Sequence, residues 1–144
     1  MNKSPIISWL DGNRFYTYIG SSSEEVKAIF GRTGANDPNF NLRSEPMFLL
    51  RTECKNQLFA GVIEPHGYFN EAREISRTAK PQITNVDIIG FNDNASIIEI
   101  HGKNDIKFRV MVNNSEPDKN KVNSVEFKGQ NYSWKGNFKF ERIQ

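Results

Sequence analysis

Between Ile98 and Phe140 short runs place apolar side chains on every second position. Ile98 and Ile100 share a face. Ile106, Phe108, Val110 and Val112 alternate with Lys107, Arg109 and Met111. Val125 and Phe127, Tyr132 and Trp134, and Phe138 and Phe140 repeat the pattern. A period of two puts alternate side chains on one face of a strand and leaves no apolar stripe for a helix. Turn residues punctuate the runs at Gly102-Lys103-Asn104-Asp105, Gly129-Gln130-Asn131 and Lys135-Gly136-Asn137. Short alternating runs between such clusters are the pattern of antiparallel strands.

The first half follows the same grammar less regularly. Ile6 to Trp9 and Arg14 to Ile19 flank the hairpin signal Asp11-Gly12-Asn13. Gly20 to Ser23 breaks the chain, and Val26 to Phe30 is a third strand. Met47 to Arg51 and Leu58 to Ile63 carry apolar residues on both faces, which predicts strands in a sandwich interior. Glu53 to Asn56 separates them at hairpin length. Glu71 to Arg77 is the one stretch suited to a short helical turn, and Ile83 to Phe91 follows Pro81. Together these predict an all-β fold: an antiparallel β-sandwich of about ten short strands, of jelly-roll or supersandwich type, as a single domain over residues 1–144. A barrel is the alternative.

A chain of 144 residues can bury a core without staples, and 11 Phe supply one. The single cysteine, Cys54, forms no internal disulfide and reads as a spectator beside a turn. The apolar run at the N-terminus is too short for a signal peptide, and no stretch approaches the length of a membrane-spanning helix. The start, almost directly in a strand, fits a piece cut from something longer. Residues 1–100 hold 10 basic and 12 acidic side chains, and residues 101–144 hold 9 and 5. The basic second part could meet a polyanion, but such charges more often form the wet faces of strands.

Chemistry-bearing patterns are few. His66 and His101 are far apart and neither has ligand spacing with Cys, so no metal or cofactor is expected. His66 reads as a hydrogen-bonded loop histidine and His101 as a strand-end residue. No nucleophile elbow is present, and Gly31 and Gly34 precede no helix, so no phosphate cradle forms. The Tyr132 to Phe140 aromatics interleaved with Ser133, Lys135 and Lys139 could suit RNA, but core aromatics with charges outward explain them better, and no nucleic-acid partner is expected. The stretch Gly31 to Arg43 stands apart. It is a long polar loop between two apolar runs, with Arg32, Asn36, Asp37, Asn39, Asn41 and Arg43 as fixed donors and acceptors. Arg32 and Arg43 could fork onto a carboxylate. Alternatively the loop bonds to itself. A second polar cluster, Glu64-Pro65-His66-Gly67-Tyr68, follows the next run.

At these two places the chain resembles a known family. Gly34-Ala35-Asn36-Asp37-Pro38-Asn39-Phe40-Asn41-Leu42-Arg43 with Glu45-Pro46 and a strand ending in Arg51, and then Phe59 through Glu64-Pro65-His66-Gly67-Tyr68, are similar to the C-terminal β-rich part of heparinase II/III-like polysaccharide lyases, oligoalginate lyases above all. The resemblance implies a parent that cleaves uronic-acid polysaccharide by β-elimination, with a helical toroid and the catalytic Tyr, His and Asn and the zinc site upstream. None of those maps onto a residue here. It implies a fragment inactive alone, whose partners are the remainder of the parent chain and acidic polysaccharide, and a periplasmic or extracellular parent. Arg32, Asn36, Asp37, Asn39, Arg43, His66 and Tyr68 are then candidates for interdomain or carbohydrate contact, with Arg43 and Asp37 bracing the loop. The alternative is a free-standing carbohydrate-binding module that stacks sugars on Tyr132, Trp134 or Tyr68.

Overall fold

Twelve strands and no helix appear in the computed structural model, which describes residues 5–33 and 45–144. They are β1 (Ile6–Asp11), β2 (Arg14–Ser22), β3 (Lys27–Arg32), β4 (Pro46–Arg51), β5 (Phe59–Asn70), β6 (Ile75–Arg77), β7 (Ile83–Phe91), β8 (Ala95–Gly102), β9 (Lys107–Asn113), β10 (Val122–Phe127), β11 (Gln130–Lys135) and β12 (Phe138–Arg142). Every pairing is antiparallel. The chain divides into two compact units, one of Met1–Ser23 with Leu58–Gln144 and one of Glu24–Gln57.

In the larger unit two four-stranded sheets run β1-β2-β5-β6 and β12-β9-β8-β7, beside a β10-β11 hairpin. Their alternation places the core. Ile19 of β2, Ala60 of β5 and Val86 of β7 are buried together, with Val62, Ile83, Ile88 and Ile98 packed around them. This apolar layer joins the inner faces of the two sheets. The opposite face of the second sheet offers Ala95, Ile97 and Met111 to Tyr132 and Trp134 of the hairpin. The second sheet is therefore apolar on both faces, which is why Ile97 and Ile98 are neighbours in sequence yet belong to different cores. Burying a side chain such as Ile97 completely stabilises the fold by about 1.5–3 kcal/mol. The sandwich expected from the alternation is present, with the hairpin as a further layer.

The smaller unit is the β3-β4 hairpin. Its register runs from Lys27 opposite Arg51 to Arg32 opposite Pro46. Thr33 N–H donates to Glu45 O at 2.9 Å, and Glu45 N–H to Thr33 Oγ1 at 3.2 Å, closing one end. At the other end Thr52 Oγ1 donates to Glu25 O at 2.8 Å.

Four expectations change. Met47 to Arg51 pairs with β3, and Leu58 to Ile63 belongs to β5, which pairs with β2 and β6; the two are not one hairpin. Neither is wholly interior, since Met47, Leu49, Phe59 and Ile63 are exposed. An apolar pattern states what a strand would bury, and covering it takes another layer. Glu71 to Arg77 forms a turn and the short strand β6. Asn70 Oδ1 accepts the Arg73 N–H at 3.0 Å, and Glu74 turns the chain at φ 51°. Such a side-chain bond and a left-handed residue close a hairpin and stop a helix. Tyr132 and Trp134 are 4% and 3% exposed, so neither offers a stacking platform.

Candidate functional site

His66 lies within β5 and not in a loop, because β5 runs on through Pro65 to Asn70. Its side chain is buried. Nδ1 is 3.0 Å from the Thr78 carbonyl, which only accepts, so Nδ1 carries the proton there. In the neutral ring Nε2 then accepts from Thr17 Oγ1 at 2.9 Å, and Thr17 accepts from Ser8 Oγ at 2.7 Å. Thr17 is fully buried and sits opposite Ser8 in the β1-β2 register. The ring stacks on Phe15 at 6.1 Å between centroids. Each polar atom of the chain Ser8, Thr17, His66, Thr78 is thus satisfied, and the histidine ties three strands and the start of the next segment together. These contacts give it a structural role.

Gly67 makes the arrangement possible. It holds φ 48°, and a Cβ there would overlap the carbonyls of Arg77 and Thr78. The register of β2 against β5 shifts between Arg14 and Phe15, a bulge that sends His66 inward and Tyr68 outward. Tyr68 is exposed and stands opposite Arg14 on one side and Arg77 on the other. Arg32 is exposed at the end of β3. Asn36, Asp37, Asn39 and Arg43 lie outside the described residues, so of the polar loop only its flanks, Arg32, Thr33 and Glu45, are placed.

A charged row crosses the second sheet. In register, Asp87, Glu99, Arg109 and Glu141 stand opposite one another in turn. Arg109 Nη2 is 2.7 Å from Glu99 Oε1 and Lys107 Nζ is 2.9 Å from Glu99 Oε2. His101 stands at the end of its strand, as expected, one residue before β8 closes at Gly102, with Nε2 3.1 Å from Asp87 Oδ2. Burial pushes the Glu99 carboxyl up, but hydrogen bonds and charge from Arg109 and Lys107 outweigh it and hold it below the ordinary range. The row is a paired lattice: cations engage Glu99 and Glu141, and Asp87 meets His101 and accepts from the Asn85 amide at 2.8 Å.

Among the described residues no group of three or more His, Cys, Asp or Glu is placed to hold a metal ion. Cys54 is exposed, its Sγ near Asn56 O and Gln57 Oε1. At the Thr52 end of the hairpin Glu24, Glu25, Lys27, Arg51, Glu53 and Cys54 line an open cavity, with no His or Tyr among the described residues that line it. What the chain does present is surface. On the hairpin, Ile29, Phe30, Met47 and Leu49 are exposed. Alternation puts Ile29 and Leu49 on one face and Phe30 on the other. On the first sheet, Trp9, Tyr16 and Tyr18 lie on the face turned away from the core, a feature the sequence reading passed over. Its signal was present as Trp9 and Tyr16, Tyr18 in two strands joined by a two-residue turn.

No protein-family model matches the chain. A protein named alginate lyase, from Stenotrophomonas maltophilia (strain K279a), is 34% identical over 131 residues, covering 90% of this chain and 17% of that protein. One named exo-oligoalginate lyase, from Saccharophagus degradans, is 27% identical over 134 residues, covering 90% of this chain and 18% of that protein. The chain therefore spans less than a fifth of the curated relatives it matches, and its relationship to polysaccharide lyases extends over nearly all of it.

Proposed function

We propose that this chain is the C-terminal β-sandwich region of a heparinase II/III-like polysaccharide lyase acting on a uronic-acid polymer, and that it supports the catalytic part without itself doing chemistry. One observation carries the supporting role: the β3-β4 hairpin bears exposed apolar side chains on both faces, with Phe30 68% exposed. A lone two-stranded hairpin is marginal in water. Apolar side chains on both its faces call for cover from further polypeptide, and the relatives are more than five times as long as the matched stretch. The hairpin docks on that remainder, and the polar stretch between its strands, with Asn36, Asp37, Asn39 and Arg43, braces the contact.

The reaction of such a parent removes the proton next to a carboxylate, stabilises the carbanion and protonates the leaving oxygen, so it needs a base, a carboxylate clamp and an acid on one cavity. The test is an assay of the 144-residue chain on alginate oligosaccharides, read by absorbance of the unsaturated uronate product. No product is expected from the chain alone. Restoration of turnover is expected when it is mixed with the preceding part of its parent, and a Phe30→Asp variant should fail to restore it. Turnover by this chain alone would overturn the proposal.

A further inference from the structure

The outer face of the β1-β2-β5-β6 sheet has a composition the docking role does not use. Three rows cross it in register. Ile7, Tyr18 and Ile63 form one; Trp9, Tyr16 and Pro65 form the next; Asp11, Arg14, Tyr68 and Arg77 form the last. Directly opposite residues share a face, so each row is a line of neighbouring side chains. Trp9 and Tyr16 stack at 5.6 Å between centroids, 13° from parallel. Tyr18 lies down on the sheet: a Cβ on Gly20 would come within 2.6 Å of its hydroxyl, and one on Gly61 would overlap its ring. Two glycines side by side, Gly20 opposite Gly61, leave the trough that ring occupies. From Tyr18 to Arg14 the rows extend about 13 Å along β2.

We propose that this face binds an anionic oligosaccharide, whose sugar rings lie on Trp9, Tyr16, Tyr18 and Tyr68 and whose carboxylates meet Arg14 and Arg77. Aromatic rings give a rigid apolar body for the C–H face of a sugar and a polar edge for its hydroxyls. Guanidinium forks match carboxylates in two-point geometry. Arg14 and Arg77 flank exposed Tyr68 on the two strands beside it, so charge and ring converge at one end of the platform. Neither guanidinium is in an ion pair among the described residues. Asp11, opposite Arg14, offsets one positive charge and leaves the row with a net charge of +1. An anionic ligand fits this row better than a neutral one, and its carboxylate falls on the Arg77 side. Glu64 is on the other face, where it accepts the Gln82 and Ile83 N–H groups at 2.8 Å and does not oppose such a ligand.

The proposal stands apart from the docking role, since it concerns the larger unit and the hairpin belongs to the smaller one. The test is calorimetric titration of the 144-residue chain with a uronic-acid tetrasaccharide and with neutral cellotetraose, alongside tryptophan fluorescence. The acidic tetrasaccharide is expected to bind at millimolar concentrations or below, and more weakly as salt rises. Arg14→Gln with Arg77→Gln should lower affinity about tenfold or more. Both side chains are exposed, so the double variant should keep the wild-type circular dichroism, and Trp9→Ala should weaken both ligands. Equal binding of the two tetrasaccharides, unchanged affinity in the double arginine variant, or no heat with either sugar would overturn it. These outcomes are independent of whether the chain restores turnover to its parent.

Discussion

Arg109 grips Glu99 from the directly opposite position on β9, with Nε 3.1 Å and Nη2 2.7 Å from the same carboxylate oxygen. Lys107 holds the other oxygen, and the guanidinium also lies 5.1 Å from the centroid of the Tyr132 ring. Glu99 thus links the charged row to the packed hairpin. Its folded pKa lies below the ordinary carboxylate range, so its contribution is present above that range and is lost as pH falls through the folded value. Glu99→Gln should cost about 2 kcal/mol at neutral pH, because Arg109 is left half-buried with a weaker partner. Urea unfolding near neutrality and at about pH 3 checks this; the gap between variant and wild type should shrink at the lower pH. An equal gap at both would show that packing, and not charge, carries the effect.

Thr17 sets a second expectation. It is fully buried and stands between Ser8 and His66, donating to one and accepting from the other. Thr17→Val keeps the shape and removes both bonds, leaving His66 Nε2 buried without its donor. A loss of about 1–3 kcal/mol follows from that orphaned acceptor. Thr17→Ser should recover most of it. Thermal unfolding of the two variants separates the hydrogen bond from the methyl group, and equal losses would contradict the role of the hydroxyl.

Gly67 carries the bulge that separates inward His66 from outward Tyr68. At φ 48° any side chain is strained, and here a Cβ would also overlap two backbone carbonyls. Gly67→Ala should therefore destabilise the fold by about 2 kcal/mol or more, and β6 should loosen first. Amide hydrogen exchange across residues 75–77 measures it. Protection there equal to wild type would show that the bulge is dispensable.

The second sheet was legible from sequence because Ile98 and Ile100, Phe108, Val110 and Val112, and Phe138 and Phe140 fall on alternate positions of β8, β9 and β12, and alternation is the pleat itself. Cover was not legible. Tyr132 and Trp134 show the same two-residue spacing as Tyr16 and Tyr18, yet the first pair is buried under the second sheet and the second pair faces outward. Spacing fixes which residues share a face, and only the packing of distant strands decides which face is wet. His66 was read as a loop residue because Pro65 and Gly67 flank it. Pro65 is tolerated opposite Tyr16, and Gly67 is the bulge, so the strand passes through what locally reads as a turn. The pairing of β3 with β4 was the arrangement that the apolar runs on either side of the polar loop allowed, while the exposure of Ile29, Phe30, Met47 and Leu49 has no signal in spacing.

That exposure leads to a prediction about the chain in isolation. Ile29 and Leu49 stand opposite each other on one face of the hairpin, and Phe30 projects from the other. A patch of this kind binds whatever apolar surface is near, and in a solution of the chain alone the nearest such surface is another copy. The 144-residue chain should therefore bind an apolar fluorescent dye and sediment with concentration-dependent mass. Phe30→Lys with Leu49→Lys should lower both while leaving the larger unit's cooperative unfolding in place, because Ile19, Ile97 and Met111 are untouched. The opposite pattern, with dye binding unchanged and cooperative unfolding lost, would mean that these side chains act as core and not as an interface, and would count against the docking role of the hairpin.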